Sequence, residues 1–328
     1  MPYNNTRKNF LNYPPLMNRN KIGSRGVTIV VLLRKALGEL LQNDPLRMAG
    51  ATAFFTTFAL PPILVILIQL LKLVLEPKLA RKELFSSLSE IVGPEAVGQL
   101  GEVIKAFRML AQNWYITIGG FIFLIFVATT LFKVIESSLN QIWKIKPLKS
   151  KSFLLSMRTR FQSVLVIMAA GILFVIGVLA EAVQAFIGKY IFEISPMLSG
   201  YFNSIVHYAG SFLIVTAWFV MVFRYLPDGR PSWKIALAGG MVTSILFTLG
   251  KIILRWLLTY SNINTLYGTS ASIVLLLLFV FYSALILYYG AAFTKVWGIY
   301  KNEPITPLPH AMHYKLMETE MEGKTAKI

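Results

Sequence analysis

The stretch TAFFTTFALPPILVILIQLL, from Thr52 to Leu71, decides the fold of this chain because it is uncharged and long enough to cross a bilayer. A helix of about 20 apolar residues spans the roughly 30 Å of hydrocarbon in a membrane. Pro61 and Pro62 stand in the middle of this run. Proline removes a backbone amide, and its ring clashes with the carbonyl four residues earlier. The pair therefore predicts either a tolerated kink or a functional break after Phe58.

The composition of the whole chain also points to a membrane protein. Of its 328 residues, 55% are hydrophobic and only 14% are charged, and the mean hydropathy is +0.61. In soluble domains about a quarter of the residues are charged. Five further stretches are apolar and long enough to span. We therefore predict an all-α, polytopic membrane protein with six transmembrane helices, at about 48–71, 114–132, 161–187, 201–222, 233–253 and 269–293.

The positive charge of the chain is distributed unequally between the two sides of these spans. The formal net charge is +17, and most of the 32 Lys and Arg residues fall in the segments on the side of the N-terminus. Because cytoplasmic loops are enriched in Lys and Arg, both termini are predicted to be cytoplasmic. These basic loops flank lipid, so the expected partners are anionic headgroups and not nucleic acid.

The segments outside the spans have distinct patterns. Residues 1–26 are predicted to be a disordered basic arm, and residues 27–43 an amphipathic helix at the inner membrane surface. The transmembrane domain then covers residues 44–300. Within it, the long outer loop 72–113 shows helical apolar spacing and is predicted to form amphipathic helices that cap the bundle. The charged tail 301–328 is predicted to be mobile and cytoplasmic.

Polar residues in or beside a span are candidates for a substrate path or gate, because they are costly in hydrocarbon. Lys133, Glu136 and Asn140 share one helical face, either as a gate or as an interfacial ion pair with a helix cap. Thr56 and Thr57 precede the prolines and either pack or line a path. Tyr267 and Gly268 lie in a plain outer loop or in an unwound entry to span six. The predicted path residues are Thr56, Thr57, Pro61, Pro62, Lys133, Glu136, Asn140, Tyr267 and Gly268.

Small residues at helical spacing predict close helix packing. Ala236, Gly240 and Ser244 form such a stripe on span five, and small residues let backbones approach in lipid. The predicted packing positions are Gly50, Gly240, Ser244, Gly250 and Gly290.

The residue inventory gives no support to an enzyme. The chain has three His and no Cys, and it lacks a carboxylate cluster that could hold two metal ions for phosphodiester hydrolysis. His310 and His313 are three residues apart, a spacing compatible with weak metal binding on a helix, but no carboxylate or thiolate stands beside them. We therefore predict no catalytic residue, no metal site and no cofactor.

Several stretches together resemble the YihY or virulence factor BrkB family of bacterial inner-membrane proteins, formerly described as ribonuclease BN. They are AGATAFFTTFALPP, IESSLNQIW, the LP before span five, LFTLGK, the YG before span six and YYGAA, over roughly residues 30–300. The family pattern falls on Gly50, Pro62, Glu136, Asn140, Trp143, Pro227, Gly250, Lys251, Tyr267, Gly268 and Gly290. The chain departs from that pattern at Ala292, where the family often has Glu, and at Phe279 and Phe281, where Trp and Tyr are usual.

The resemblance implies a bacterial inner-membrane protein. With the proline-containing first span and the polar face at Lys133, it favours a permease or translocase for a lipid-like or otherwise amphiphilic envelope component. The alternative is a non-transporting scaffold for envelope integrity or virulence, of the serum-resistance type. A ribonuclease is contradicted by the residue inventory.

Overall fold

The computed structural model describes residues 25–71, 114–148, 196–260 and 271–315, with isolated residues between 76 and 105 and between 172 and 177. These residues are mostly helical, as predicted. The long helices of the described ranges are α1 (Arg25–Leu41), α2 (Pro45–Leu71), α3 (Trp114–Ile142), α4 (Pro196–Tyr225), α5 (Trp233–Tyr260) and α6 (Ala271–Tyr300).

Helices α2 to α6 coincide with five of the six predicted spans. The sixth prediction, 161–187, falls almost wholly outside the described residues. Among the described residues, two helical stretches, Trp233–Ile253 and Val274–Tyr300, are long and apolar enough to cross a membrane, and Ala209–Tyr225 is a shorter apolar helix. The outer loop 72–113 is described only at scattered residues, most of which are helical.

Helix α6 occupies the centre of the bundle. It contacts α1, α2, α3 and α5, and α4 packs against α5. Its buried residues include Tyr288, Ala291 and Ala292, which share one core with Trp143 and Phe223. A helix with several neighbours needs apolar residues on several faces, and α6 has them.

The apolar residues of α1 divide between two faces. Leu32 and Ala36 are buried in the core that surrounds α6, whereas Val30, Leu37 and Leu41 are exposed. The helix therefore packs on the bundle with one stripe and presents a second apolar stripe outward, as an interfacial helix requires.

The outer surface of the bundle carries rows of exposed apolar side chains. The row on α5 repeats every four residues, so it forms one continuous stripe along the helix. It consists of Leu237, Met241, Ile245, Leu249 and Ile253. Such a stripe on a bundle surface indicates contact with lipid or with another apolar partner.

Helices α5 and α6 approach closely through a reciprocal pair of glycines and threonines. A Cβ on Gly239 of α5 would lie 1.9 Å from the Thr294 hydroxyl oxygen, and a Cβ on Gly290 of α6 would lie 1.8 Å from that of Thr243. Each threonine hydroxyl donates to the carbonyl of the glycine four residues earlier in its own helix, at 2.7 Å. The hydroxyl is thus satisfied within one helix while it packs against the other.

The other predicted packing positions differ among themselves. A Cβ on Gly240 would lie 2.6 Å from a side chain of α4, and one on Gly250 would lie 2.2 Å from a tyrosine ring of α6. Ser244 is buried and donates to a carbonyl of α4 at 3.3 Å. At Gly50 the expectation of close packing is wrong for the described residues, because none of their atoms comes within 4 Å of a Cβ added there.

Helix α2 continues through the two prolines to Leu71, so the alternative of a break in the helix is wrong. Pro61 is buried, whereas Phe58 is exposed. The hydroxyls of Thr56 and Thr57 donate to the carbonyls four residues earlier in α2, at 2.7 and 2.9 Å. They therefore bond carbonyls that precede the two freed by the prolines, and they do not replace the lost amides.

Two short antiparallel ribbons close one end of the bundle. The ribbons pair β1 (Ile145–Pro147) with β4 (Ala311–His313), and β2 (Gly229–Arg230) with β3 (Thr306–Pro307). The prediction of a mobile tail is therefore wrong for residues 301–315, which add short strands to a mostly helical fold. Backbone hydrogen bonds to the loops after α3 and after α4 order this segment, while residues 316–328 lie outside the described part of the chain.

Candidate functional site

The polar contacts of the described helices concentrate at the end that carries the ribbons. Strand β1 follows α3 and β2 joins α4 to α5, and both pair with strands that follow α6. The start of α2 lies at the same end, because the side chain of Gln141 donates to the carbonyl of Asn43 at 3.2 Å. We call this region, residues 39–48, 133–148, 224–234 and 295–313, the ribbon end.

The centre of the ribbon end is a buried carboxylate, Asp228, in the turn between α4 and α5. Its Oδ2 accepts from Nδ2 of Asn140 at 2.9 Å, and its backbone amide donates to Oδ1 of Asn140 at 2.9 Å. Nε2 of His310 lies 2.9 Å from Oδ1 of Asp228, and the amide of Leu308 donates to the carbonyl of Asp228 at 2.8 Å. Asn140 thus joins α3 to the turn and does not serve as the predicted helix cap.

Glu136 lies one turn before Asn140, beyond the predicted end of the second span at Phe132. Burial raises the pKa of the Glu136 carboxyl to about 8; the charge of Asp228 also raises it, and Lys133 opposes them. At neutral pH the side chain is therefore mostly protonated. It consequently does little to neutralise the positive charge of Lys133.

An ion pair attaches α1 to α6. The ammonium group of Lys295 donates to the carboxylate of Glu39 and, at 2.9 Å, to the carbonyl of Ile142. The two charged side chains are only 10% and 22% exposed. Partial burial makes such a pair sensitive to the loss of either partner, because the remaining charge is left without compensation.

Asn43, two residues after the end of α1, collects three further hydrogen bonds. Its Nδ2 donates to the carbonyl of Glu39 at 2.7 Å, and its Oδ1 accepts from the ammonium group of Lys144 at 2.9 Å. Its carbonyl accepts from Gln141. The segment between α1 and α2 is thus attached to the end of α3.

A buried hydroxyl contact links α2 to α6 within the bundle. The Thr52 and Tyr288 hydroxyl oxygens are 2.6 Å apart, and Ser138 of α3 adds a side-chain hydrogen bond to the tyrosine. Thr52 therefore takes part in packing, whereas Thr56 and Thr57 make the local bonds described above.

An open groove of ≈ 320 Å³ lies between α2 and α3 at the ribbon end. Its lining includes Arg47 and Ala51 from α2, and Thr130, Lys133, Ser137 and Gln141 from α3. Lys133 faces this groove, whereas Asn140 points to Asp228. Lys133, Glu136 and Asn140 were predicted to form one site because they share a helical face. In the structure, Lys133 lies in the groove and Asn140 in the buried contact with Asp228.

A second surface depression of ≈ 430 Å³ lies beside the residues that join α4 to α5. Arg224 and Arg230 line it together with Glu303, which accepts a hydrogen bond from Ser232 at 2.5 Å. The guanidinium group of Arg224 also stacks over the ring of Trp233, with 4.4 Å from Cζ to the ring centroid. The positive charge of the two arginines is thus already partly compensated by Glu303 and by the ring of Trp233.

The histidine pair at 310 and 313 is not arranged as the helical spacing suggested. Residues 311–313 form strand β4, His310 contacts Asp228, and Nε2 of His313 lies 3.1 Å from the carbonyl of Ile305. Within the described ranges, no group of three or more His, Cys, Asp or Glu side chains is placed to hold a metal ion.

The partners that matter most at this end were not predicted from the sequence. Asp228 and Arg47 were not among the predicted site residues, and His310 was considered only as a metal ligand. A carboxylate next to an apolar span was the available signal for Asp228. The side chain of Pro62 and the residues Tyr267 and Gly268 lie outside the described residues.

Comparisons with known proteins place the chain among membrane proteins. A family model described as virulence factor BrkB matches residues 36–314. The UPF0761 membrane protein of Mannheimia succiniciproducens is 26% identical over 260 residues, which cover 78% of this chain and 86% of the relative. Those of Actinobacillus pleuropneumoniae and Haemophilus influenzae are 25% and 27% identical, over 80% and 76% of this chain and 91% and 88% of the relatives. No solved structure matches the chain.

Proposed function

Because the chain belongs to the virulence factor BrkB family, whose relatives are membrane proteins, we propose that it is a six-span protein of the bacterial inner membrane that moves a lipid-like envelope component. The proposal involves no catalytic step and no cofactor. It rests on the groove between α2 and α3.

The six-span arrangement is supported by the positions of the helix ends. Helix α3 finishes at the ribbon end, and so does α4, because β1 and β2 both pair with the segment that follows α6. Helix α4 has 30 residues and a length of about 45 Å, so it begins at the opposite end. These directions of α3 and α4 are the ones that a third span between them requires.

A cytoplasmic position of the ribbon end, and so of both termini, is supported by its charges and aromatic residues. Lys144, Lys146 and Lys234 lie there, and positive charge marks cytoplasmic loops. Trp233 is 57% exposed beside Arg224, and such aromatic side chains favour the headgroup region.

The groove between α2 and α3 carries the functional proposal. It opens on the surface of the bundle and has polar and charged residues at the ribbon end, where α2 and α3 meet the predicted headgroup region. An amphiphile needs contact with both water and hydrocarbon, and a groove at this depth offers both. A solute without an apolar part would not need a groove on this surface.

Lipid movement in liposomes tests the proposal. The purified full chain is reconstituted with a phospholipid that carries a fluorescent headgroup label, and dithionite then quenches the label that reaches the outer leaflet. We expect faster loss of protected fluorescence than in protein-free liposomes, and a rate near the protein-free value for Ser137→Trp, which fills the groove. Leu249→Trp, on the exposed row of α5, is the matched control and should retain the rate. Equal rates with and without the wild-type chain would refute the proposal.

The second candidate function is a non-transporting scaffold of the envelope. Close packing of α4, α5 and α6 favours it, because Gly239, Gly240, Gly250 and Gly290 leave no space for a Cβ. Such tight packing suits a protein that does not change its conformation to move a substrate. This candidate predicts that cells lacking the protein regain the same detergent resistance from Ser137→Trp as from the wild type. It also predicts that the wild-type protein moves no lipid in liposomes.

A further inference from the structure

One face of α2 changes from cationic to aromatic along its length. Arg47, Ala51, Phe54 and Phe58 follow one another at three- and four-residue spacing, so they lie on the same side of the helix. Arg47 and Ala51 line the groove, and Phe54 and Phe58 are 54% and 48% exposed. The change takes place within about 17 Å, since each helical residue advances 1.5 Å.

The facing side of α3 shows the same change in the same direction. Ser137, Lys133 and Thr130 line the groove, and Phe126 and Phe123 continue from them toward the far end of the bundle. Because α2 starts and α3 ends at the ribbon end, the polar parts of the two helices lie side by side, and so do their phenylalanines. The two helices thus form one furrow with a cationic head and an aromatic body.

The head of this furrow keeps a net positive charge. Arg47 lies 3.7 Å from Asp44, but both side chains are mostly exposed and such surface pairs are weak. Gln141 is a neutral neighbour at 3.5 Å from Arg47. Next to Lys133, Glu136 is mostly protonated at neutral pH for the reason given above. Two cations therefore remain available, in contrast to the depression at Arg224, where Glu303 lies among the arginines.

We propose that this furrow binds an anionic phospholipid, with Arg47 and Lys133 on the headgroup phosphate and an acyl chain along Phe54, Phe58, Phe126 and Phe123. Guanidinium groups bind phosphate oxygens with two hydrogen bonds, and an ammonium group adds a point charge. The hydroxyl oxygen of Thr130, which lies between Lys133 and Phe126, faces the glycerol region. This lipid would be the substrate of the proposed function. Only its role as a transported substrate rests on that function; its binding does not.

Lipid class follows from the same chemistry. A zwitterionic choline headgroup would bring its own cation near Arg47 and Lys133, so phosphatidylglycerol should bind more tightly than phosphatidylcholine. Free inorganic phosphate could use the two cations but not the phenylalanines. Its affinity should therefore be far below that of the lipid.

Lipid binding to the purified full chain in detergent micelles tests this assignment, with native mass spectrometry as the readout. Dioleoyl-phosphatidylglycerol, dioleoyl-phosphatidylcholine and inorganic phosphate are titrated separately. We expect the double variant Arg47→Gln/Lys133→Gln to bind phosphatidylglycerol at least about tenfold more weakly and to lose the preference over phosphatidylcholine. The control Arg230→Gln/Lys234→Gln also removes two exposed cations from the ribbon end, outside the furrow, and should bind within about twofold of the wild type.

A second variant protects the test against a loss of folding. Phe54→Ser/Phe126→Ser leaves both cations in place and should weaken lipid binding while binding of inorganic phosphate stays unchanged. Wild-type affinity for phosphatidylglycerol in Arg47→Gln/Lys133→Gln would overturn the assignment, and so would inorganic phosphate that binds as tightly as the lipid. If the lipid binds as expected but the wild-type chain moves none in liposomes, the proposed function fails and the binding site stands.

Discussion

Asn140 and Asp228 are joined by two hydrogen bonds of 2.9 Å, although 88 residues separate them in the chain. One bond uses the buried carboxylate of Asp228 and the other its backbone amide. The side chain of Asn140 thus supplies a donor and an acceptor to one residue of another segment. This contact holds the end of α3 to the turn between α4 and α5.

Replacement of Asn140 by Leu should destabilise the protein. The change leaves a buried carboxylate oxygen and a buried amide without these partners, and each such group costs about 1–3 kcal/mol. We expect a lower midpoint of thermal unfolding in detergent, measured by circular dichroism. Ser137→Ala, at an exposed position of the same helix, should change the midpoint little. Equal midpoints for Asn140→Leu and the wild type would show that the two bonds do not contribute to stability.

Stability should depend on pH through Glu136. The pKa of its carboxyl is raised from 4.5 to about 8 in the folded state, so the folded protein holds a proton that the unfolded chain releases. Between these two values stability falls as pH rises, and above about pH 8 the full cost is present. Glu136→Gln removes this cost. The unfolding midpoint of the variant minus that of the wild type should therefore increase from about pH 5 to pH 8 and then level off.

The charged groups around Glu136 are the same in the variant and in the wild type. Asp228, His310 and Lys133 are present in both proteins, so the difference between the two curves reports the change at Glu136. Ser137→Ala, which removes no titratable group from an exposed position of the same helix, is the control and should give a difference that does not change with pH. Parallel curves for Glu136→Gln and the wild type would contradict the raised pKa.

A methyl group added at Gly239 should strain the contact between α5 and α6. Its Cβ would lie 1.9 Å from the Thr294 hydroxyl oxygen, and overpacking of this kind costs about 1–3 kcal/mol. Gly239→Ala/Thr294→Ala removes that oxygen and should recover part of the loss. Gly50→Ala is the matched control, because no described atom lies within 4 Å of its Cβ. Unfolding measurements on the wild type, Gly239→Ala, Thr294→Ala and the double variant give the coupling energy between the two positions. Additive effects would show that the helices adjust to the added methyl group without strain.

Loss of the cation at Lys295 should loosen α1. In Lys295→Met, Glu39 keeps a largely buried charge without its partner, and we expect a cost of about 3 kcal/mol, at the lower end of the range for a broken buried pair. Glu39→Gln in addition should restore part of the stability. Limited proteolysis within α1 measures its attachment directly. Cleavage of the single variant at the wild-type rate would contradict the role of this pair.

The sequence predicted the helices well where composition alone decides them. Apolar runs of span length set the positions of α2 to α6, although α3, α5 and α6 continue to Ile142, Tyr260 and Tyr300, beyond the predicted span ends at 132, 253 and 293. The strands were missed because two or three residues make each of them, too few for an alternating pattern. They exist only because the segment after α6 meets loops that are distant in the chain.

The candidate site was less predictable for a related reason. Helical spacing correctly placed Lys133, Glu136 and Asn140 on one face, but it could not show that Asn140 meets Asp228 while Lys133 faces α2. These outcomes depend on which segments approach, and no local pattern around Asp228 or His310 contains that information. The same holds for Gly239, whose neighbour Gly240 fitted the small-residue stripe equally well.

The two ribbons also set an order of folding during synthesis. Strands β1 and β2 leave the ribosome long before residues 306–313, which are their only partners in the ribbons. Until residues 306–313 have been synthesised, the loops that carry β1 and β2 have open strand edges, and Asp228 has neither His310 nor the amide of Leu308. The ribbon end is thus completed only after helix α6 has been made.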